Sequence, residues 1–188
     1  MKSATRYRTC LSVIAALSVL LPSTAGSQQP PAPIPPYPTA WHWDPFLDTL
    51  QAHTLRWFIA VTPPNTGLTP DRWPSKAPAS IAAAGFALTS LPVAVERGIL
   101  TRSEAADRVL AALKFFWGLP QGEVRSGVSG YKGFFYHFLE PANGERAWKC
   151  ELSTIDTGLL MAGVLFCQSY FNASSPREQS IRRVADSL

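Results

Sequence analysis

The sequence predicts an all-α protein built from stacked helical hairpins, and three observations predict it. From Trp41 onward, apolar residues recur at helical spacing almost throughout. Each apolar stretch is bracketed by residues that start or stop helices. Two of the stretches are apolar on more than one side, so they need neighbours on several faces, which an amphipathic surface bundle does not supply.

The chain opens with a leader rather than with fold. Lys2, Arg6 and Arg8 form a basic start, Leu11 to Leu21 is an apolar run too short to span a bilayer, and Ser23-Thr24-Ala25 offers small residues for cleavage. Residues 1–25 are expected to be a cleaved signal peptide, and the mature protein to be periplasmic or secreted without stable membrane insertion. Cys10 precedes the apolar run, so it is not a lipoprotein cysteine, and no twin-Arg pair stands before it. Residues 26–40 (GSQQPPAPIPPYPTA) hold six prolines and read as a semi-rigid linker with no core of its own.

The helices then follow in order. Asp44 caps the first, with Pro45 in its first position and Phe46, Leu50, His53, Trp57 and Phe58 at roughly helical spacing; Pro63-Pro64-Asn65-Thr66-Gly67 ends it. The second runs from about Ser80 to Arg97, is alanine-rich and apolar all round, and carries Pro92, which predicts a kink. Thr101 caps the third, which presents Ala106, Val109, Leu110, Leu113, Phe116 and Trp117 until Gly118-Leu119-Pro120. A glycine-rich stretch, 121–133, leads to an aromatic run through Phe138 that suits a strand or a loop. The fourth helix, about Thr154 to Phe171, is expected to use Ile155, Leu159, Ala162, Phe166 and Tyr170 on one face, with Leu160, Val164 and Phe171 beside it. Its Gly158 and Gly163 allow another helix to come close. Ser175-Pro176 starts a fifth helix whose stripe of Ile181, Val184 and Ala185 has no partner visible in the sequence, so the chain reads as the first part of a longer protein.

Charge and cysteine content narrow the function. The chain has 17 basic and 13 acidic side chains; the leader holds three of the basic ones, leaving 14 against 13. No basic stripe remains, so a nucleic-acid partner is not expected. Cys150 and Cys167 follow the leader, but Cys167 lies in an apolar helix where a buried free thiol is ordinary, and pairing is not expected. His42, His53 and His137 are dispersed without paired ligand spacing, so neither a metal nor another cofactor is expected. Asn172-Ala173-Ser174 has the form of a glycosylation sequon, a short and unspecific pattern.

The chemistry concentrates between Gly130 and Thr157. Aromatic faces cover the apolar C–H patches of a pyranose, and carboxylates bind its hydroxyls or move protons at the glycosidic oxygen. Glu151 and Asp156 are the candidate catalytic carboxylates. In one helix they would point about 140° apart, but Ser153 reads as an N-cap, which leaves Glu151 in a loop and Asp156 three residues beyond the cap. Asp156 thus has a competing role as a capping partner, and Glu151 has one as a solvated loop carboxylate. Tyr131, Phe135, Tyr136 and His137 are candidate substrate-binding residues, as are Asp71, Arg72 and Trp73 on the loop after the first long turn. At least half of the aromatic residues from Tyr131 to Phe138 are expected in the core, because alternate residues of an extended run face opposite sides.

The segments Gly133 to Leu139, Ala147-Trp148, Cys150 to Thr157 and Leu159 to Val164 resemble the bacterial glycoamylase-like domain family, which includes the endo-β-1,2-glucanases of glycoside hydrolase family 144. Gly67 to Pro74 and Ser80 to Phe86 support the resemblance, which runs from about Trp41 to Leu188. It implies an (α/α)6 barrel of which residues 41–188 are the N-terminal part, in an exported enzyme cutting β-1,2-glucan internally by an inverting, carboxylate-dependent route. Glu151 and Asp156 are the matching motif positions, and an opposing acid is expected beyond Leu188. Two rival readings stand beside it: a non-catalytic carbohydrate-binding protein on the same toroid, and a glycosidase of another linkage specificity.

Overall fold

The computed structural model describes residues 44–188; the expected signal peptide and linker lie outside the described residues. Helix α1 spans Pro45–Val61, with the Asp44 side chain accepting from the Phe46 amide. Strand β1 (Ala79–Ser80) feeds directly into α2 (Ile81–Glu96). Helix α3 (Arg102–Gly118) starts with a full capping box: the Thr101 hydroxyl accepts from the Glu104 amide while Glu104 reaches back to the Thr101 amide. Strands β2 (Gly130–Tyr131), β3 (Phe134–Phe135) and β4 (Phe138–Leu139) precede α4 (Thr154–Tyr170) and α5 (Pro176–Ala185), capped by Ser153 and Ser175. Among the described residues, no helix is long and apolar enough to cross a membrane.

The helices form two layers. Consecutive helices α1–α2, α2–α3 and α4–α5 meet as hairpins, while α2 packs against α4 and α3 against α5, two elements further on. The α2–α4 contact is unusually close. A methyl group built on Gly163 would lie 2.3 Å from the Gly85 carbonyl oxygen, and one on Gly85 would lie 2.3 Å from that of Leu159. Glycine is required at both positions because backbone, not side chain, fills the space. Gly163 acts as predicted; Gly158 does not, since a methyl group there would meet nothing. Further along, the Cys167 thiol lies 3.2 Å from the Leu88 carbonyl oxygen, so contacts advance in the same direction on both helices and the two run parallel.

That last bond meets a need that Pro92 creates. Proline has no N–H to offer the carbonyl four residues back, Leu88. The helix nevertheless continues as a single element through Pro92, and the Cys167 thiol donates to the freed Leu88 oxygen. Burial pushes that thiol up to about 12, so it keeps the proton it donates. Both Cys150 and Cys167 are free.

The core joins α2, α3, α4 and α5 through Leu88, Leu113, Phe116, Leu160, Val164, Phe171 and Ile181, with Phe135 and Leu139 closing it from the strands. Three expectations change here. Helix α5 does have a partner for its stripe: Ile181 and Ala185 are buried where α5 meets α3 and α4. In α4 the buried side is Leu160, Gly163, Val164 and Cys167, whereas Ile155, Leu159 and Phe166 are exposed, because the glycine contact with α2 sets the rotation of the helix. In α1 only Leu55 is buried, while Phe46, Leu47 and Leu50 are exposed.

Candidate active site

The aromatic run lies across the N-terminal ends of α2 and α4. Strand β4 pairs antiparallel with β1, the Ile81 amide at the start of α2 donates to the His137 carbonyl, and the Ser153 amide at the cap of α4 donates to the Phe135 carbonyl. The Phe135 amide donates in turn to Thr157 Oγ1, one turn into α4. Between these anchors, Tyr136 and Leu152 form an antiparallel bridge. Residues on either side of such a bridge face one another, so His137 is placed opposite Glu151. The His137 amide bonds the Glu151 carbonyl at 3.0 Å, and His137 Nδ1 lies 2.8 Å from Glu151 Oε1.

A carboxylate can only accept, so Nδ1 of His137 carries the hydrogen in this bond. On the other side of the ring, Nε2 stands 3.8 Å from Asp156 Oδ2. One imidazole therefore separates the two carboxylates. Glu151 is 66% exposed at its side chain and Asp156 only 15%. The Glu151 carboxyl is held below the usual range, first by a bond from its own backbone amide and then by His137, so it is charged at neutral pH. Both acids sit near the positive ends of parallel helices, which favours negative charge there.

Asp156 does not complete a capping box as Glu104 does. Its amide donates to Ser153 Oγ, and its carboxylate accepts from the same hydroxyl, but the Ser153 amide is already taken by Phe135. The carboxylate is thereby left turned toward His137. Ser153 is one of the residues that sequence reasoning read as a cap alone.

The other candidates separate. Phe135 is 3% exposed, edge-on to Phe116 in the core, so it cannot stack on a sugar; this corrects the expectation for that residue. The Tyr136 ring has one face covered by the Arg146 guanidinium at 4.3 Å. His137 stacks on Phe138, centroids 3.8 Å apart and planes within 14°, which fixes the ring while leaving its edge to the carboxylates. The Tyr131 hydroxyl bonds Glu123 at 2.5 Å on the exposed glycine-rich loop. Asp71 and Arg72 form an ion pair, 2.7 Å, beside exposed Trp73 in a loop closed by the Pro70–Ala79 bridge.

Arg146 was not singled out in the sequence and is central in the structure. Its guanidinium donates to the Cys150 carbonyl and so closes the turn before Glu151. A basic residue five positions before an acidic one carries no distinctive signal.

No family model matches the chain. Over 145 residues it is 27% identical to the exo β-1,2-glucooligosaccharide sophorohydrolase (non-reducing end) of Parabacteroides distasonis. The chain is a homologue of that enzyme. The match covers 76% of this chain and 19% of the sophorohydrolase. The fold is similar to that of a β-1,2-glucanase from the same species, with a TM-score of 0.65, 25% identity, and 74% of this chain on 20% of that one. It also follows the endo-β-1,2-glucanase of Chitinophaga pinensis, with a TM-score of 0.61 over 74% of this chain and 34% of that one. At 17% identity the second likeness speaks for the fold alone. The paired helix layers are thus part of an (α/α) toroid, as the sequence predicts. The chain spans about a fifth of the length of the sophorohydrolase.

In this homologue the residues brought together are Glu151, His137 and Asp156, framed by Phe138, Arg146 and Ser153.

Proposed function

We propose that this chain supplies part of the cleft of an exported glycoside hydrolase that cleaves β-1,2-glucan internally and with inversion. The observation that carries the reading is the charged, exposed Glu151 carboxylate fixed on His137 at the N-terminal ends of two parallel helices. The sophorohydrolase homologue supplies the substrate class. In this reading residues 1–25 are the signal peptide, 26–40 the linker, and 41–188 the N-terminal part of the toroid. The protein works in the periplasm or outside the cell on a polysaccharide or oligosaccharide.

His137 fills the space between Glu151 and Asp156, so the two acids do not address one glycosidic bond from opposite faces. Glu151 is the reacting group. It accepts a proton from water as the water oxygen bonds to the anomeric carbon, while the glycosidic oxygen leaves with a proton from a general acid across the cleft. That acid is assigned to the part of the toroid that this chain does not span. Asp156 sets a carboxylate 3.8 Å from the far nitrogen of His137, and His137 positions Glu151.

The homologue's name favours a second reading, release of disaccharide units from the non-reducing end. Product size separates the two: internal cleavage gives a spread of chain lengths early in the reaction, and end-on cleavage gives one product. Glu151→Gln tests the role of the carboxylate. The amide keeps the shape but accepts no proton, so turnover on β-1,2-glucan should fall by on the order of 10²- to 10⁴-fold with the fold retained. Near-normal turnover would remove Glu151 from the mechanism.

A further inference from the structure

Beyond the carboxylate pair, one exposed side chain is held in a way that packing does not explain. Trp148 is 69% exposed and has φ +54°, in the left-handed region that bulky residues rarely enter. Glycine or asparagine would suit that position better. Its neighbours are firmly fixed. Ala147 is fully buried, and its amide donates to the Phe138 carbonyl at 2.9 Å. Cys150, at the end of the turn, contacts the Phe138 backbone through its sulfur and is clamped by Arg146. The turn thus presents a large aromatic ring to solvent at a backbone position where such a ring is unfavourable. Backbone outliers of this kind cluster where a ligand is gripped.

The ring faces a hollow of about 370 Å³ lined by Lys76, Pro78, Glu140, Pro141 and Trp148. The hollow combines an aromatic plane, a carboxylate and an ammonium group, the set that covers a pyranose face and bonds its hydroxyls. Aromatic contacts link its Trp148 wall to the carboxylate site. Trp148 meets Phe138 edge-on at 5.7 Å, and Phe138 stacks on His137 at 3.8 Å.

We propose that Trp148 is the stacking platform of a further subsite, taking a pyranose unit of the same glucan chain at a distance from the bond that is cut, with Glu140 and Lys76 as hydroxyl partners. The proposal rests on the glycan reading of the site. Its test uses the whole protein whose cleft this chain helps to form, with Trp148→Gly, in which glycine accepts the φ of the turn, and Trp148→Phe, which keeps an aromatic face. The quantity read is the ratio of kcat/KM on long β-1,2-glucan to kcat/KM on the shortest oligosaccharide cleaved.

The ratio should fall roughly tenfold in Trp148→Gly and recover in part in Trp148→Phe. An equal loss at every chain length would overturn the subsite and make Trp148 a prop for Phe138; an unchanged ratio would also overturn it. If the wild type cleaves no β-1,2-glucan, the proposed function fails separately. Affinity electrophoresis of the same variants in gels containing β-1,2-glucan or β-1,3-glucan then tests the platform. Retardation of the wild type but not of Trp148→Gly supports it, and identical mobility overturns it.

Discussion

Glu151 and His137 lie 14 positions apart, yet their side chains meet at 2.8 Å because a single antiparallel bridge sets them face to face. The arrangement has a direct consequence for pH. His137 is one of three groups holding the Glu151 carboxyl low; the others are the residue's own amide, which no side-chain substitution removes, and Arg146. Replacing His137 by Asn should therefore move the acidic limb of the kcat/KM profile upward in pH, part of the way to that of an ordinary glutamate. A profile measured from pH 3 to 7 checks this, and an unmoved limb would mean that His137 does not act on the reacting carboxylate. Asp156→Asn separates that residue's two roles. A mere capping partner would lose about 0.5–1 kcal/mol of stability and little activity. The geometry predicts instead a fall of roughly 10- to 100-fold in kcat/KM with the melting temperature little changed, because the substitution removes the carboxylate charge that stands 3.8 Å from His137. Each of the three residues could be singled out in the sequence from its local setting. Their meeting could not, since it depends on which residue of 135–137 pairs with which of 151–153, and a shift of one position would turn His137 away.

At the scale of elements, side-chain caps mark the helix starts. Asp44, Thr101, Ser153 and Ser175 all act where a polar residue precedes an apolar stretch, because the first amides of a helix need acceptors that only nearby side chains supply. Which face each helix buries was less legible. In α4 the apolar residues surround the helix, and only the backbone contact between Gly85 and Gly163 chooses among the faces. The outer layer is held differently. Arg102 at the start of α3 binds Glu178 in α5 through two bonds, 2.8 and 2.9 Å, and also reaches the Tyr170 carbonyl at the end of α4. Glu178 is nearly buried and accepts from the Ala173 amide as well. Arg102→Ala would leave that carboxylate without its cation and should lower stability by on the order of 2 kcal/mol, less than a fully buried pair because Arg102 is itself 38% exposed. Arg102 holds the Glu178 carboxyl low, so this contribution is complete above the ordinary glutamate range and is lost as pH falls through the lowered value. Urea unfolding at pH 7 and pH 3 measures both effects: a large difference between wild type and Arg102→Ala at pH 7 should shrink at pH 3.

For the molecule as a whole, two helical layers place two helix N-termini under one aromatic loop, and the charged site is built there. Helical spacing, caps and the all-round apolar character of α2 were enough to read the stacked hairpins from sequence, because each is a local property. The division of labour among the aromatic residues was not local: Phe135 goes to the core while Phe138 supports the histidine, since the bonds of Phe135 to Ser153 and Thr157 pull it inward. Glu151 is proposed to deliver water to an anomeric carbon from the face opposite the leaving oxygen, in a β-1,2-glucan. Proton NMR of the first products, recorded before mutarotation, tests it most directly. New reducing ends from β-1,2-glucan should appear first as the α-anomer, and Glu151→Gln should abolish the signal. First appearance of the β-anomer, or no new reducing ends from β-1,2-glucan, would contradict it.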